Sequence, residues 1–194
     1  MRTLSTVLLA LFVASSLSLV AQSADAASFK GQFKFTSKAP KEDIFGTAKG
    51  TADLTIDPND LTKLKGTITV PVKSMETGNE TRDEHMHGSD WLDAGKHPNI
   101  TFTITSVALD GAVKDSNGVK AAKLKVTGKF TLHGVSKTLT APATIKWKAD
   151  GKAKITTKFK IKLADYKVAG KDGVVGSKVG TSIACQVSLV GSVK

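Results

Sequence analysis

Residues 123–132, KLKVTGKFTL, alternate lysine or threonine with an apolar or small residue from one end to the other. Successive side chains of a β-strand point to opposite faces, so this alternation predicts a strand with one buried and one solvated face. Residues 154–163, KITTKFKIKL, show nearly the same pattern. Two such strands predict an antiparallel sheet that covers a core on one side only.

The alternation extends over most of the chain after Ser28 and predicts an all-β fold of eight strands. Asp150-Gly151 predicts a two-residue hairpin of type I′. Glycine-containing pairs mark the other reversals, and short connections after the third strand favour an antiparallel meander. The predicted strands lie near residues 29–35, 45–56, 64–72, 100–105, 123–132, 139–147, 154–163 and 179–189. The other reversals lie at Asp110-Gly111, Asn117-Gly118, His133-Gly134 and Asp172-Gly173.

An eight-stranded antiparallel β-barrel fits this pattern best. A flat sheet would leave two open edges, and the sequence supplies no long amphipathic helix to cover its apolar face. A two-sheet sandwich is the alternative. Gly66, Gly128, Ala141 and Ala143 fall at inward positions, where small side chains either leave room for a ligand or relieve crowding at bends.

The beginning of the chain resembles a secretory signal peptide. Arg2 precedes an apolar run over residues 7–20, and Ala24-Asp25-Ala26 follows it. We expect residues 1–26 to be the signal peptide, with cleavage after Ala26 or, alternatively, after Ala27. Residues 28–194 then form one barrel domain, which is periplasmic or secreted. Cys185 is the only cysteine and falls in a strand pattern, so no intramolecular disulfide can form and a buried, inert thiol is expected.

The net charge of +11 raises the question of an anionic partner. A nucleic-acid partner is not expected, because the lysines are spread along strands and no nucleic-acid-binding motif is present. The charge is consistent with solubility and with transient contact with an anionic membrane surface. A homodimer is a further partner that the sequence leaves open.

The segment between the third and fourth strands, residues 74–99, is polar and does not alternate. A short helix is predicted from Glu80 to His87, with Asn79 or Thr77 as its cap. Arg82 is the only arginine after the signal peptide, and its planar guanidinium suits a bidentate contact. It either pairs with an acid such as Asp83 or Asp90 and pins the segment to the barrel rim, which we favour, or meets the anionic head group of a ligand.

Catalytic and metal-binding interpretations have little support in the sequence. His85 and His87 are two apart, which does not place them on one face of a helix, and His97 lies further on, so no metal site is predicted. His133 stands at a glycine turn and is expected to stabilise it. Nucleophile-elbow, phosphate-loop and HExxH motifs are absent from the sequence, so we expect no enzyme and no cofactor. A hydrolase that uses the acidic cluster around Asp83 and Asp90 is kept as a third hypothesis.

Several motifs resemble the signatures of the YceI family. They are Ser74-Met75-Glu76-Thr77-Gly78, Arg82-Asp83-Glu84-His85-Met86, Ser89-Asp90-Trp91-Leu92-Asp93, His97-Pro98-Asn99-Ile100-Thr101-Phe102, residues 126–137 and Leu163-Ala164-Asp165-Tyr166. The resemblance covers residues 29–190. It implies an exported, lipocalin-like, eight-stranded antiparallel barrel with an internal apolar channel that binds polyisoprenoids or related long-chain amphiphiles. The chain departs from the family at residues 37–43, which are polar, and at His97, where a tyrosine is usual.

These observations predict a carrier that encloses a polyisoprenoid, an isoprenoid quinone or a fatty-acyl amphiphile, in a channel of roughly 35 Å. The alternative is a packed barrel without lipid that serves as a stress-related structural or interaction module. The expected channel wall consists of Phe33, Phe35, Ile68, Val70, Trp91, Phe102, Ile104, Phe130, Trp147, Phe159 and Ile161. The expected polar rim consists of Arg82, Asp83, His85 and His97.

Overall fold

The structure, a computed structural model, describes residues 26–193. The predicted signal peptide therefore lies outside the described residues, except for Ala26. The strands are β1 (Ala27–Lys38), β2 (Asp43–Thr55), β3 (Lys65–Pro71), β4 (Asn99–Leu109), β5 (Lys114–Ser116), β6 (Val119–Leu132), β7 (Val135–Lys148), β8 (Lys152–Lys162) and β9 (Ser182–Ser192). One α-helix, α1 (Glu80–His87), lies between β3 and β4, and short 3₁₀ turns lie at Leu61–Lys63, Val72–Ser74, Leu163–Tyr166 and Lys171–Gly173.

The strands form a closed antiparallel barrel. Neighbours in the sheet follow the order β4-β3-β2-β1-β9-β8-β7-β6, and pairing of β4 with β6 closes the ring. This is the predicted eight-stranded meander, because each barrel strand pairs with the next barrel strand along the chain, and β1, the first, pairs with β9, the last. The short β5 pairs only with β6 as a small hairpin beside the barrel.

Side-chain alternation places the apolar positions inside, as predicted. Phe29 on β1 and Ile145 on β7 are fully buried, and Leu124 on β6 and Leu189 on β9 are nearly so. The lysines between them are exposed. A bulge at Thr105 shifts the register of β4 against β6 and keeps Val107 opposite Val126.

Three details of the predicted strands are wrong. The last strand begins at Ser182, not near residue 179, because residues 163–181 form a separate connection. β5 was not predicted. Asp150-Gly151 belongs to a three-residue loop in which only Gly151 has a positive φ, whereas His133-Gly134 has positive φ at both residues, as a type I′ turn requires.

One end of the barrel is filled by side chains. Phe29, Leu61, Ile145, Trp147 and Val193 pack together there with at most 7% of their surfaces exposed. The turns 56–64 and 149–151 lie at this end, which we call the closed end.

The opposite end carries the longer connections, residues 72–98 and 163–181, and we call it the mouth. The wall is incomplete on this side. β7 pairs with β8 only from Ala143–Thr157 to Trp147–Ala153. Residues 136–142 of β7 and residues 158–162 of β8 therefore do not pair with one another. We call this gap the seam. The corresponding half of β2 is covered, because Glu76 exchanges two backbone hydrogen bonds of 2.8 Å with Thr47.

Candidate ligand-binding cavity

A cavity of about 930 Å³ begins at the mouth and extends into the barrel interior. Ligand sites in proteins typically range from about 300 to 1,000 Å³, so the space is sufficient for a sizeable molecule. Its wall is mainly aliphatic and aromatic, and it extends along β9 from Ile183 to Leu189, about 20 Å along the strand. The packed closed end stops it there, so the expected 35 Å channel is a shorter, blind-ended cavity.

Most of the predicted wall residues line this cavity. They are Phe33, Phe35, Ile68, Val70, Trp91, Phe102, Ile104, Phe130, Phe159 and Ile161. Trp147 does not line it, because its ring is buried in the core of the closed end with 6% of its surface exposed. Its placement in the wall is thus corrected, since alternation alone assigns a residue to the inner face but not to a level along the barrel.

Glycines opposite the aromatic rings explain how the rings fit into the wall. A β-carbon at Gly46 would collide with the ring of Phe35, and one at Gly128 would collide with the ring of Phe102. The rings therefore lie over bare backbone. Of the four small inward residues, Gly128 relieves crowding in this way, while Ala141 and Ala143 face the cavity.

The two long connections meet above the mouth. Trp91, from the first connection, lies against Gly170 of the second, whose φ is +68° and whose missing β-carbon leaves room for the indole ring. The buried hydroxyl of Ser37 on β1 accepts a hydrogen bond of 2.8 Å from the backbone N–H of Gly180. The second connection is thereby attached to the rim.

The helix of the first connection agrees with its predicted bounds and cap. Asn79 Oδ1 accepts a hydrogen bond of 3.0 Å from the backbone N–H of Arg82. Thr77, the alternative cap, instead donates its backbone N–H and its hydroxyl to Asp83 Oδ1, at 2.8 and 2.6 Å. Asp83 therefore stabilises the start of the helix and does not line the cavity, which corrects its placement on the polar rim.

Arg82 pins the helix to the rim, as favoured, but through a different partner. Its Nη1 lies 3.2 Å from Glu42 Oε1 in the β1–β2 turn. Asp83 is bonded to Thr77, and Asp90 forms no ion pair with Arg82. Arg82 also lines the cavity, and its buried Nε has no hydrogen-bond partner among residues 26–193.

The histidines occupy separate environments. His85 lines the cavity mouth, while His87 Nε2 lies 2.9 Å from the carbonyl oxygen of Met75. His97 does not line the cavity, which corrects its placement on the rim. Its ring meets that of His133 edge-on at 5.1 Å, and His133 Nδ1 lies 3.2 Å from the carbonyl oxygen of Tyr166, so His133 links its turn to the second connection. Within residues 26–193, no three His, Cys, Asp or Glu side chains converge as metal ligands would.

Cys185 is a partly buried cavity residue. Burial raises the pKa of its thiol from the ordinary value of 9.0 to about 12. The thiolate is the reactive form, so the thiol is inert at neutral pH, in agreement with the expectation from its position. Among residues 26–193, no helix is long and apolar enough to cross a membrane.

The fold and the cavity together define a class: a lipocalin-like barrel that is closed at one end and hollow at the other. A YceI-like domain model matches residues 14–190. Protein YceI of Escherichia coli O157:H7 is 31% identical over 149 residues, which is 74% of this chain and 73% of that protein. The chain therefore belongs to the YceI-like family.

Solved structures show the same fold. The chain resembles BcnA of Burkholderia cenocepacia with a TM-score of 0.72 and 24% identity, over 82% of this chain and 95% of that one. It also resembles a polyisoprenoid binding domain from Saccharophagus degradans, implicated in plant cell wall breakdown, with a TM-score of 0.67 and 13% identity, over 87% and 99% of the two chains. At these identities the likeness concerns the fold.

The sequence analysis missed the contribution of the second connection to the mouth. Lys171, Val174, Lys178 and Val179 line the cavity there. The signal was present, since residues 170–180 contain four glycines and break the alternation before the last strand. It also missed Met75 and Met86, two flexible apolar side chains that line the mouth from the first connection.

Proposed function

We propose that this protein is a binding or carrier protein that encloses a long-chain apolar ligand, such as a polyisoprenoid, an isoprenoid quinone or a fatty-acyl amphiphile. The observation that supports the proposal most is the blind-ended cavity, whose wall is mostly hydrocarbon and whose mouth is polar. The polyisoprenoid binding named for the Saccharophagus degradans neighbour points to the same ligand class.

The energetics of such binding are adequate. Each buried methylene contributes about 0.8 kcal/mol, so a sixteen-carbon chain gains on the order of 12 kcal/mol before the costs of ordering it. Those costs remove several kcal/mol and leave an expected dissociation constant between about micromolar and nanomolar.

The head group is expected to lie beside α1. Arg82 Nε is a buried donor without a partner among residues 26–193, and an unpaired buried donor costs free energy. A phosphate, carboxylate or carbonyl oxygen of the ligand would satisfy it. Arg82 would then both attach α1 to the rim, through Nη1 and Glu42, and contact the ligand head group, through Nε.

We further propose that the protein is exported to the periplasm or secreted, that it is not an enzyme, and that it meets its ligand at a membrane surface. Asp83, one of the two acids in the hydrolase hypothesis, accepts hydrogen bonds from Thr77 and so stabilises the loop that precedes α1. Homodimer formation stays a prediction. The alternative of a packed barrel without lipid requires a filled interior, whereas the interior toward the mouth is hollow.

The test is lipid extraction and native mass spectrometry of the protein from its host, followed by titration with fluorescent prenyl and acyl probes. The variant Ala141→Phe fills the cavity from β7 and should weaken probe binding at least about tenfold, since it displaces several methylenes. Ala108→Phe adds the same ring at an exposed site on β4 and should bind normally. A protein without co-purified lipid that takes up neither probe would refute the proposal.

A further inference from the structure

The outer wall of the barrel is divided by charge. The strands β1, β9, β8, β7 and β6, which are consecutive in the sheet, contain many lysines and not one aspartate or glutamate. Among residues 26–193, the acidic residues lie in the connections, on β2 and on β5. The charged side chains of these five strands are therefore all cationic, and the packing of the core does not require this.

The strand register assembles these lysines into rows. Lys30 on β1 and Lys154 on β8 flank Val190 of β9, and Lys34 and Lys158 flank Gln186 two outward rows further along. Lys146 of β7 lies directly opposite Lys154. Like charges in direct cross-strand pairs destabilise a sheet, and none of these lysines forms an ion pair with a carboxylate among residues 26–193. An external anionic surface would relieve that repulsion.

Two large apolar side chains point outward on or beside these strands. Phe45, on β2 next to β1, is 65% exposed, and Val190 on β9 is 55% exposed. Phe45 shares a row with Thr36, Ala184 and Lys160. Phe45, Lys34, Lys158 and Lys160 line one pocket, in which Glu76 is the one carboxylate that contributes to the lining. Aromatic and aliphatic side chains surrounded by lysines are typical of surfaces that rest on lipid head groups.

We propose that the outer face of β2, β1, β9 and β8 docks onto an anionic phospholipid bilayer. We call this face the basic wall; it consists of Phe45, Val190, Lys30, Lys34, Lys154, Lys158 and Lys160. The lysines lie over the lipid phosphates while Phe45 and Val190 enter the head-group layer. The inference rests on the membrane contact in the proposed function and names the face that makes it, although docking of this wall does not depend on what the cavity holds. It also places β8, one border of the seam, against the bilayer.

The test is co-sedimentation of the full protein with vesicles of phosphatidylcholine alone or with about one-third phosphatidylglycerol, at about 0.1 M salt. We expect binding only to the anionic vesicles, weakened by salt. The triple variant Lys154→Gln, Lys158→Gln, Lys160→Gln should lose about fivefold for each lysine, roughly a hundredfold together. The control Lys65→Gln, Lys73→Gln, Lys114→Gln removes the same charge from exposed positions on or next to β3 and β5, outside the proposed docking face, and should lose less than about tenfold.

The apolar part of the proposal has its own comparison. Phe45→Ala should weaken vesicle binding several-fold at unchanged charge, and Leu109→Ala, which removes another exposed side chain away from the wall, should not. Equal losses from the two triple variants, absence of vesicle binding, or binding to heparin without binding to vesicles would each overturn the proposal. The triple variant Lys154→Gln, Lys158→Gln, Lys160→Gln should still take up the prenyl and acyl probes in solution, because these lysines do not line the cavity. Its probe uptake therefore tests the proposed function separately from membrane docking.

Discussion

The closed end and the mouth of this barrel are built from the same alternating strands but have opposite interiors. At the closed end, the inward side chains of β1, β7 and β9 reach one another, and Leu61 of the turn 56–64 and Val193, which follows β9, fill what remains. At the mouth, Phe33, Phe35 and Phe102 lie along the wall over or beside glycines, and the centre stays open.

The difference shows which residues stabilise the fold and which are available to a ligand. Side chains at the closed end contact other side chains on every side, whereas those at the mouth contact empty space on one side. A side chain that borders empty space makes no dispersion contacts on that side. The side chains at the mouth therefore contribute less to stability, and they can gain contacts when a ligand enters.

The largest expected effect compares two isoleucines. Ile145→Ala should destabilise the protein by about 3 to 4 kcal/mol, because Ile145 is fully buried in the closed end and its removal leaves a void. Ile68→Ala at the cavity wall should cost only about 1 kcal/mol, because that side chain already borders a void.

Urea denaturation measures both differences, with far-ultraviolet circular dichroism as the probe. The order should reverse for probe binding, with Ile68→Ala the more harmful of the two. Equal losses of stability would show that the mouth half is as tightly packed as the closed end.

The next largest effect concerns the thiol that faces the cavity. Cys185 has a pKa raised to about 12 by burial, so at pH 8 its thiolate is far rarer than that of an exposed cysteine. Disulfide-exchange reagents should therefore label it at least about a hundredfold more slowly than they label the unfolded chain. Above pH 9.0, the unfolded chain loses this proton while the folded one keeps it, so this group's contribution to stability falls as the pH rises from 9.0 toward 12.

The labelling rate of Cys185 with and without a bound acyl probe tests whether the ligand occupies the mouth rather than the closed end. A ligand in the mouth should slow the labelling further, because Cys185 lines the cavity. Fast labelling at pH 8 in the folded protein, matching that in urea, would contradict the desolvated environment of this thiol.

The strands were predictable because burial in a barrel has the same period as the strand itself. In β6 and β8, every second side chain faces inward, and the sequence shows this directly. The helix bounds were predictable because Asn79 supplies a local cap, which depends on residues only three positions apart. Both features follow from short-range physical chemistry.

The level of a residue along the barrel was not predictable in the same way. Trp147 and Phe159 both occupy inward positions, yet one fills the closed end and the other lines the cavity. Which end is filled depends on where turns such as 56–64 fold back, which is a long-range property. The partner of Arg82 was missed for the same reason, since Glu42 is 40 residues away in the chain.

A smaller effect is expected at the seam. Residues 143–147 of β7 are paired on both sides, whereas residues 136–142 are paired only with β6. Amide hydrogens of residues 136–142 that point toward β8 should exchange about tenfold or more faster than the corresponding amides of residues 143–147. Hydrogen exchange followed by nuclear magnetic resonance resolves them one by one, and amides of β6 in the same rows serve as the control. Equal protection along the whole of β7 would show that the seam is closed in solution.

The smallest expected effect on stability belongs to the ion pair that attaches α1 to the rim. Glu42→Gln should cost no more than about 0.5 kcal/mol, because Glu42 is 69% exposed and water screens the pair. Asp43→Asn breaks the neighbouring surface pair with Lys38 and is the matched control. The two variants should differ in the mouth alone: Glu42→Gln removes the ion pair that holds α1 and should raise the amide exchange of α1 about twofold, while Asp43→Asn should not. Since α1 also carries Arg82 and His85 to the cavity, the same variant should weaken binding of a probe with an anionic head more than binding of a neutral one. Equal weakening of both probes would mean that the pair positions the wall of the mouth and not the donor of Arg82.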